Sequence, residues 1–198
     1  MRASSWPVSQ LSAVHHGALA RHFLALEQDD RRLRFGAPLA DTALHAYVAR
    51  IDFQRDAVFG VFDEELELIG VAHLAHLQEQ AELGVSVLRE HRHRGIGAAL
   101  LERAVMRARN WGLHTLYMHC LRENTTMMEL SCKLGMRIVT EHHEADAWLA
   151  LAPADASSHF GEVFAQRVAL FDYALKSQIA SARRLLAAGL MHPSGGAR

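Results

Sequence analysis

The chain has 198 residues, half of them hydrophobic, and a formal net charge of -1. That suits one globular domain with a substantial core and leaves no global electrostatic case for a nucleic-acid or anionic-membrane partner. Two cysteines, Cys120 and Cys132, are too few for a disulfide scaffold. No uncharged apolar run is long enough to span a bilayer, and residues 1–11 lack the apolar segment of a signal peptide. A reducing, cytoplasmic setting is therefore expected.

Residues 8–13 read as a short first strand. Residues 15–35 read as one helix, with Leu19, Phe23 and Leu26 on a stripe. Asp29-Asp30-Arg31-Arg32 near its end reads as a solvated charge patch. A second helix is expected over 39–53, opened by Pro38, with Leu44, Val48 and Ile51 inward. Residues 57–62, rich in Val and Phe, read as a strand. Asp63-Glu64-Glu65 turns the chain into a strand over 66–77, which holds Gly70, and Gln78-Glu79-Gln80 turns it again into a strand over 81–88. Connections this short make antiparallel neighbours.

Residues 95–111 form the central helix, with Ile96, Leu100, Ala104 and Ala108 as its apolar stripe and Arg103, Arg107 and Asn110 off it. Gly112 ends it. The strand over 114–120 follows a crossover helix and should run parallel to the strand before it. A helix over 125–134 stops at Gly135, and strands over 136–141 and 147–151 flank a turn at His142-His143-Glu144. The tail, 157–189, carries Phe160, Phe164, Val168, Phe171 and Leu175 at helical spacing. That stripe either packs on its own domain or forms the interface of a homodimer. Residues 195–198 should fray. The expected division is a domain over 1–153 and a helical extension over 154–198.

The stretch Arg92-His93-Arg94-Gly95-Ile96-Gly97-Ala98 joins a strand to the central helix. The first amides of a helix have no partner inside it, and its dipole adds partial positive charge there. With glycines and arginines added, this describes a phosphate or pyrophosphate site; the plainer reading is a glycine-containing helix start on a basic surface. A P-loop is excluded, because no Lys-Ser or Lys-Thr follows the glycines. A dinucleotide fingerprint is excluded, because Leu100 stands where its third glycine belongs. The pattern [Q/R]-x-x-G-x-[G/A] fits, filled by Arg92, Gly95 and Gly97. Downstream, Asn124 is followed at N-x(9)-L-G-[F/M] spacing by Leu134-Gly135-Met136.

These two motifs, in the order β-α-α-β-β-β-α-β-α-β-β, resemble the GNAT N-acetyltransferase superfamily; the likeness covers residues 57–151. It implies an α/β acyl-CoA N-acyltransferase fold: a mixed, mostly antiparallel sheet whose one parallel pair splays to admit the pantetheine arm of acetyl-coenzyme A. It also implies direct transfer of acetyl to an amine, either a protein lysine or a small molecule. The amides of Arg92, His93, Arg94, Gly95, Ile96, Gly97 and Ala98 would hold the pyrophosphate, Val87 and Leu88 would offer backbone groups to the pantetheine, and Asn124 would contact the cofactor near its thiol. Asn124 also suits a helix N-cap. Arg31-Arg32-Leu33-Arg34-Phe35 and Ala49-Arg50-Ile51-Asp52-Phe53 resemble the N-terminal part of bacterial protein-lysine acetyltransferase-like domains.

Acetyl transfer from a thioester requires a deprotonated amine, a stabilised oxyanion and a departing thiolate. Glu82 stands where histone-acetyltransferase-like members carry their general base, with Glu79 as rival and a solvated strand-start glutamate as the plainer reading. Strand alternation sets Glu82, Gly84 and Ser86 on one face. Many members carry a tyrosine acid seven residues after the asparagine; here that position is Ser131, a poorer proton donor. This departure keeps a second class open, a non-catalytic acyl-coenzyme A-binding or sensing module. Cys132 reads as a buried small hydrophobe. His91-x-His93 and His142-His143 lack a third ligand at recognised spacing, and His73 and His76 fall on opposite strand faces, so no metal is expected.

Overall fold

The computed structural model describes residues 6–190, so the end expected to fray at 195–198 lies outside the described residues. The elements are β1 (Ser9–Gln10), α1 (His16–Leu24), α2 (Gln28–Phe35), α3 (Asp41–Ala49), β2 (Ala57–Phe62), β3 (Leu68–Leu77), β4 (Gln80–Val87), α4 (Ile96–Asn110), β5 (Thr115–Leu121), α5 (Thr125–Lys133), β6 (Arg137–Glu141), β7 (Glu144–Ala150) and α6 (Ala156–Leu190). The strands form one sheet in the order β1-β2-β3-β4-β5-β7-β6. Every neighbouring pair is antiparallel except β4 and β5, which are parallel. This is the mixed α/β sheet with one parallel pair that the motif order implies.

The sheet is covered on both faces, which explains why β2 is an unbroken apolar run. Ala57, Phe59 and Val61 join the core under α4, while Val58 and Phe62 join the core under α1 and α3. Gly70 in β3 lets α4 dock closely: a Cβ there would lie 2.6 Å from Ile96 Cγ2, the first residue of α4.

Three expectations are corrected. First, residues 15–35 are not one helix. The chain breaks after α1, and Arg31 holds the break open: its guanidinium donates to the carbonyls of Leu24, Leu26 and Leu39 and pairs with Asp41 at 2.7 Å. Periodicity cannot register a cap delivered from the next helix. Second, the charge patch is solvated only in part, with Asp29 exposed. Asp30 is only 7% exposed and pairs with Arg92 at 2.8 Å, tying α2 to the loop before α4. Third, Arg103 is buried: it lies over the Phe59 ring at 4.8 Å and pairs with Glu162 of α6 at 2.9 Å.

α6 does pack on the domain, but through the side opposite its phenylalanines. Glu162 also meets Arg107 at 3.1 Å and accepts from Asn110, Tyr173 packs against Phe62, and Lys176 donates to the Phe62 carbonyl at 2.9 Å. Burial pushes the Glu162 carboxyl up, but hydrogen bonds from Asn110 and Arg103 outweigh it and hold the group below its usual range.

Candidate active site

The parallel pair splays. β4 pairs with β5 only over 80–82 against 115–117. Beyond Glu82 and Tyr117 the two strands part, β4 staying with β3 as far as Val87 and β5 staying with β7 as far as Leu121. The Leu88 amide is spent on Ile69 across β3. By strand alternation the backbone of Val87 and Val85 then faces the gap. Leu88 therefore does not offer its amide there, and the Val87 carbonyl is taken by Arg92 Nε at 3.0 Å.

Three cavities run along this gap. The first, about 360 Å³, is lined by His91, Arg92, His93, Gly95, Gly97 and Lys133. Gly95 precedes α4 with φ +83°, a conformation that favours glycine. His93 is also left-handed, at φ +60°. Among the described residues, none of the amides of residues 93–98 donates to a backbone carbonyl. Such an array suits the phosphates of coenzyme A. A Cβ on Gly97 would meet Leu130 at 3.3 Å, so bulk there has no room. Arg92 faces inward to Asp30, and Arg89 is paired with Glu27 at 3.0 Å. Lys133, at the end of α5, is a further cation of this cavity.

The second cavity, about 120 Å³, shares Val87, Arg92, Gly97 and Leu130 with the first and adds Val85, Ser86 and Asn124. Asn124 caps α5, its Oδ1 accepting from the Met127 amide at 3.2 Å, and still faces this cavity. Ser86 is held from α1. His22, 2% exposed, donates through Nδ1 to the Leu68 carbonyl at 2.7 Å and accepts from the Ser86 hydroxyl at 2.8 Å. Burial pushes His22 down to about 4, so it is neutral and this tautomer follows.

The third cavity, about 250 Å³, meets the second at Leu33 and Arg34 and contains Glu82, Gly84, Tyr47, His73 and His119. Glu82 and Gly84 do share one strand face, since Ala81, Leu83 and Val85 turn to the α4 core. Arg34 lies flat on β4 at Gly84: a Cβ there would be 2.1 Å from Arg34 Cζ. The guanidinium stacks on Phe35 at 4.8 Å, donates to Tyr47 Oη at 3.2 Å, and has no carboxylate in ion-pair range among the described residues. A hydrogen-bond chain fixes it from behind. Tyr47 donates to His73 Nδ1 at 2.7 Å, and His73 Nε2 donates to Asp56 at 3.0 Å. Burial, stronger than the pull of Asp56, holds His73 below its usual range and leaves it neutral to accept from Tyr47. Opposite, Tyr117 and His119 both donate to Asp146, at 2.6 and 2.8 Å. Burial first, then this bond, pushes the Tyr117 phenol up, and the bond from Tyr117 pulls Asp146 down.

The structure thus brings Glu82, Val87, Asn124 and the 92–98 loop to one trench. It does not bring Ser131 there: that side chain is fully buried and donates to the Met127 carbonyl at 2.8 Å. Cys132, expected to be buried, is exposed; Cys120 is the buried one, and burial raises its thiol. The sequence reading missed Tyr47 and Lys133, and it weighed His73 only as a metal ligand. It quoted Arg34 only within a motif.

The sequence profile of the acetyltransferase (GNAT) family matches residues 19–136, more than half of the chain. No curated protein matches the sequence. Among solved structures, the fold resembles the GNAT domain of S. lividans PAT, with TM-score 0.63 and 19% identity, covering 73% of this chain and 89% of that one. It also resembles spermidine N-acetyltransferase from Vibrio cholerae in complex with CoA and spermine, with TM-score 0.58 and 19% identity, covering 72% and 94%. The ribosomal-protein-S18-alanine N-acetyltransferase from Escherichia coli gives TM-score 0.56 and 18% identity, covering 75% and 94%. With its splayed parallel pair, its array of open amides and this profile match, the chain belongs to the GNAT family of acetyltransferases.

Proposed function

We propose that the protein transfers the acetyl group of acetyl-coenzyme A directly to an amine, a protein lysine or a small molecule, within a ternary complex. The observation that carries this reading is the continuous trench from the six open amides, through the β4–β5 gap, to Glu82. The amides of 93–98 and Lys133 hold the phosphates. Val85, Val87 and Asn124 line the channel for the pantetheine arm, whose thioester supplies the acyl group.

The acceptor occupies the third cavity. Glu82 takes the amine proton as the N–C bond forms. Arg34 sits where the channel opens into that cavity, so its fixed charge faces the acyl oxygen as negative charge develops there. The same charge disfavours the ammonium form of a nearby acceptor. The thiolate leaves as the C–S bond breaks and takes a proton from solvent.

A second reading, an acyl-coenzyme A-binding module without turnover, draws on the buried Ser131 at the tyrosine position. Thiol release in the presence of lysine peptides, polyamines and amino acids separates the two. A transferase releases thiol with at least one acceptor class, and Glu82→Gln lowers kcat at neutral pH about 100-fold with acetyl-coenzyme A affinity unchanged. Intact binding with no thiol release across the panel assigns the module.

A further inference from the structure

We propose that the outer face of α6 is a self-association surface, covered by the α6 of a second copy of this chain. The usual polarity of a docked helix is inverted here. A surface helix ordinarily turns its apolar stripe to the core and its charges to water. α6 turns Glu162 and Lys176 inward, Glu162 onto Arg103 and Arg107 and Lys176 onto the Phe62 carbonyl, while Arg183 pairs with Glu65 at the surface at 3.5 Å. Its apolar stripe faces out, with Phe160 77%, Phe164 71% and Phe171 74% exposed.

The stripe has a regular period. Phe160 and Phe171, Phe164 and Leu175, Val168 and Ile179, and Leu175 and Leu186 each stand eleven residues apart. An eleven-residue repeat nearly matches the natural turn of an α-helix, so the row runs almost straight along the axis. From Phe160 to Leu186 it extends about 39 Å. Along its middle, the one charged exposed side chain between 163 and 179 is Arg167.

Area decides what this strip needs. The three phenylalanines alone leave about 450 Å² uncovered, since each offers roughly 200 Å². The exposed valines, leucines and isoleucine of the same face bring it near 1,000 Å², against about 300–600 Å² for the largest patch of an ordinary monomer and about 800 Å² per partner in a standard interface. A second copy presents a strip of the same length and character, and pairing identical patches closes a two-fold assembly. A helix lying on a membrane keeps a row of free basic residues beside its apolar face; here Lys176 is turned into the domain and Arg183 is paired with Glu65, which leaves Arg167 and Arg184 as the exposed unpaired arginines of the described helix.

Sedimentation velocity of the full chain tests this. The wild type should sediment as a dimer, twice 22.0 kDa. Phe164→Glu combined with Phe171→Glu should weaken association at least about 100-fold, giving a monomer with an unchanged far-ultraviolet spectrum, because both side chains are already in water. Val139→Glu, an equally apolar change on β6 at the far edge of the sheet, should remain dimeric. A monomeric wild type, or a double variant that stays dimeric, overturns the proposal. So does a monomeric wild type that floats with phosphatidylglycerol-containing vesicles, which assigns the strip to a membrane surface.

Discussion

At its C-terminal end β4 leads into a site made of backbone: six amides contributed by consecutive residues, 93–98. At its other end the site is made of side chains: Arg34 from α2, Tyr47 from α3, His73 from β3, Glu82 from β4 and His119 from β5. The first kind of site needs only one turn, set by Gly95 and His93, and a helix behind it. The second needs five elements to pack before any of it exists. A backbone site should therefore fail when its space is filled, and a side-chain site when one charge or one hydrogen bond is removed.

The largest effect should come from filling the backbone site. Gly97→Glu adds bulk against Leu130 and a carboxylate among the phosphate-binding amides, so acetyl-coenzyme A binding should be lost by more than about 4 kcal/mol; calorimetry reads it directly. Unchanged affinity removes the assignment of the loop.

Next comes the point where the two ends join. His22 pins Ser86 from α1 and is held neutral at about 4 by burial, whereas the unfolded chain takes up its proton near 6.5. Between these values the unfolded state binds more protons, so stability is full above about pH 6.5 and falls, by on the order of 3 kcal/mol, as pH drops through 4. Denaturation midpoints at pH 7 and 5 should differ in the wild type and differ much less in His22→Gln. Equal pH slopes in the two proteins contradict the assignment.

At the side-chain end, Arg34→Ala should lower kcat about 100-fold while leaving the affinity for acetyl-coenzyme A intact. A change in affinity with kcat preserved moves Arg34 from the reacting centre to the cofactor channel. The smallest effect is expected at Lys133, an exposed cation beside the amides. Lys133→Ala should weaken cofactor binding about 5-fold at low ionic strength, shrinking as salt is raised. A salt-independent loss would mean that Lys133 acts by packing.

The same contrast explains what was legible in the sequence. The 92–98 loop, the strand before it and the helix after it are contiguous, so Gly95 and Gly97 declared them. Pleat alternation put Glu82 and Gly84 on one face for the same reason. Tyr47 and His73 could not be read, because their meaning lies in one hydrogen-bond chain across 26 residues of sequence. The break before α2 was hidden because Arg31 makes it from outside α1. Asp29-Asp30-Arg31-Arg32 looks like any solvated helix end until Asp30 meets Arg92, which comes from a different element. In α6 the period was visible, but period alone gives no direction: the stripe of Phe160 and Phe164 predicts a face, and the ion pairs of Glu162 decide that it points outward.

The central claim is that the amides of 93–98 and the β4–β5 gap form one site for acetyl-coenzyme A. Calorimetric titration of the wild-type chain with acetyl-coenzyme A, with NAD and ATP as controls, tests it most directly. Micromolar binding of acetyl-coenzyme A and no binding of NAD or ATP is the predicted result. No heat with acetyl-coenzyme A, or equal binding of ATP, would contradict it.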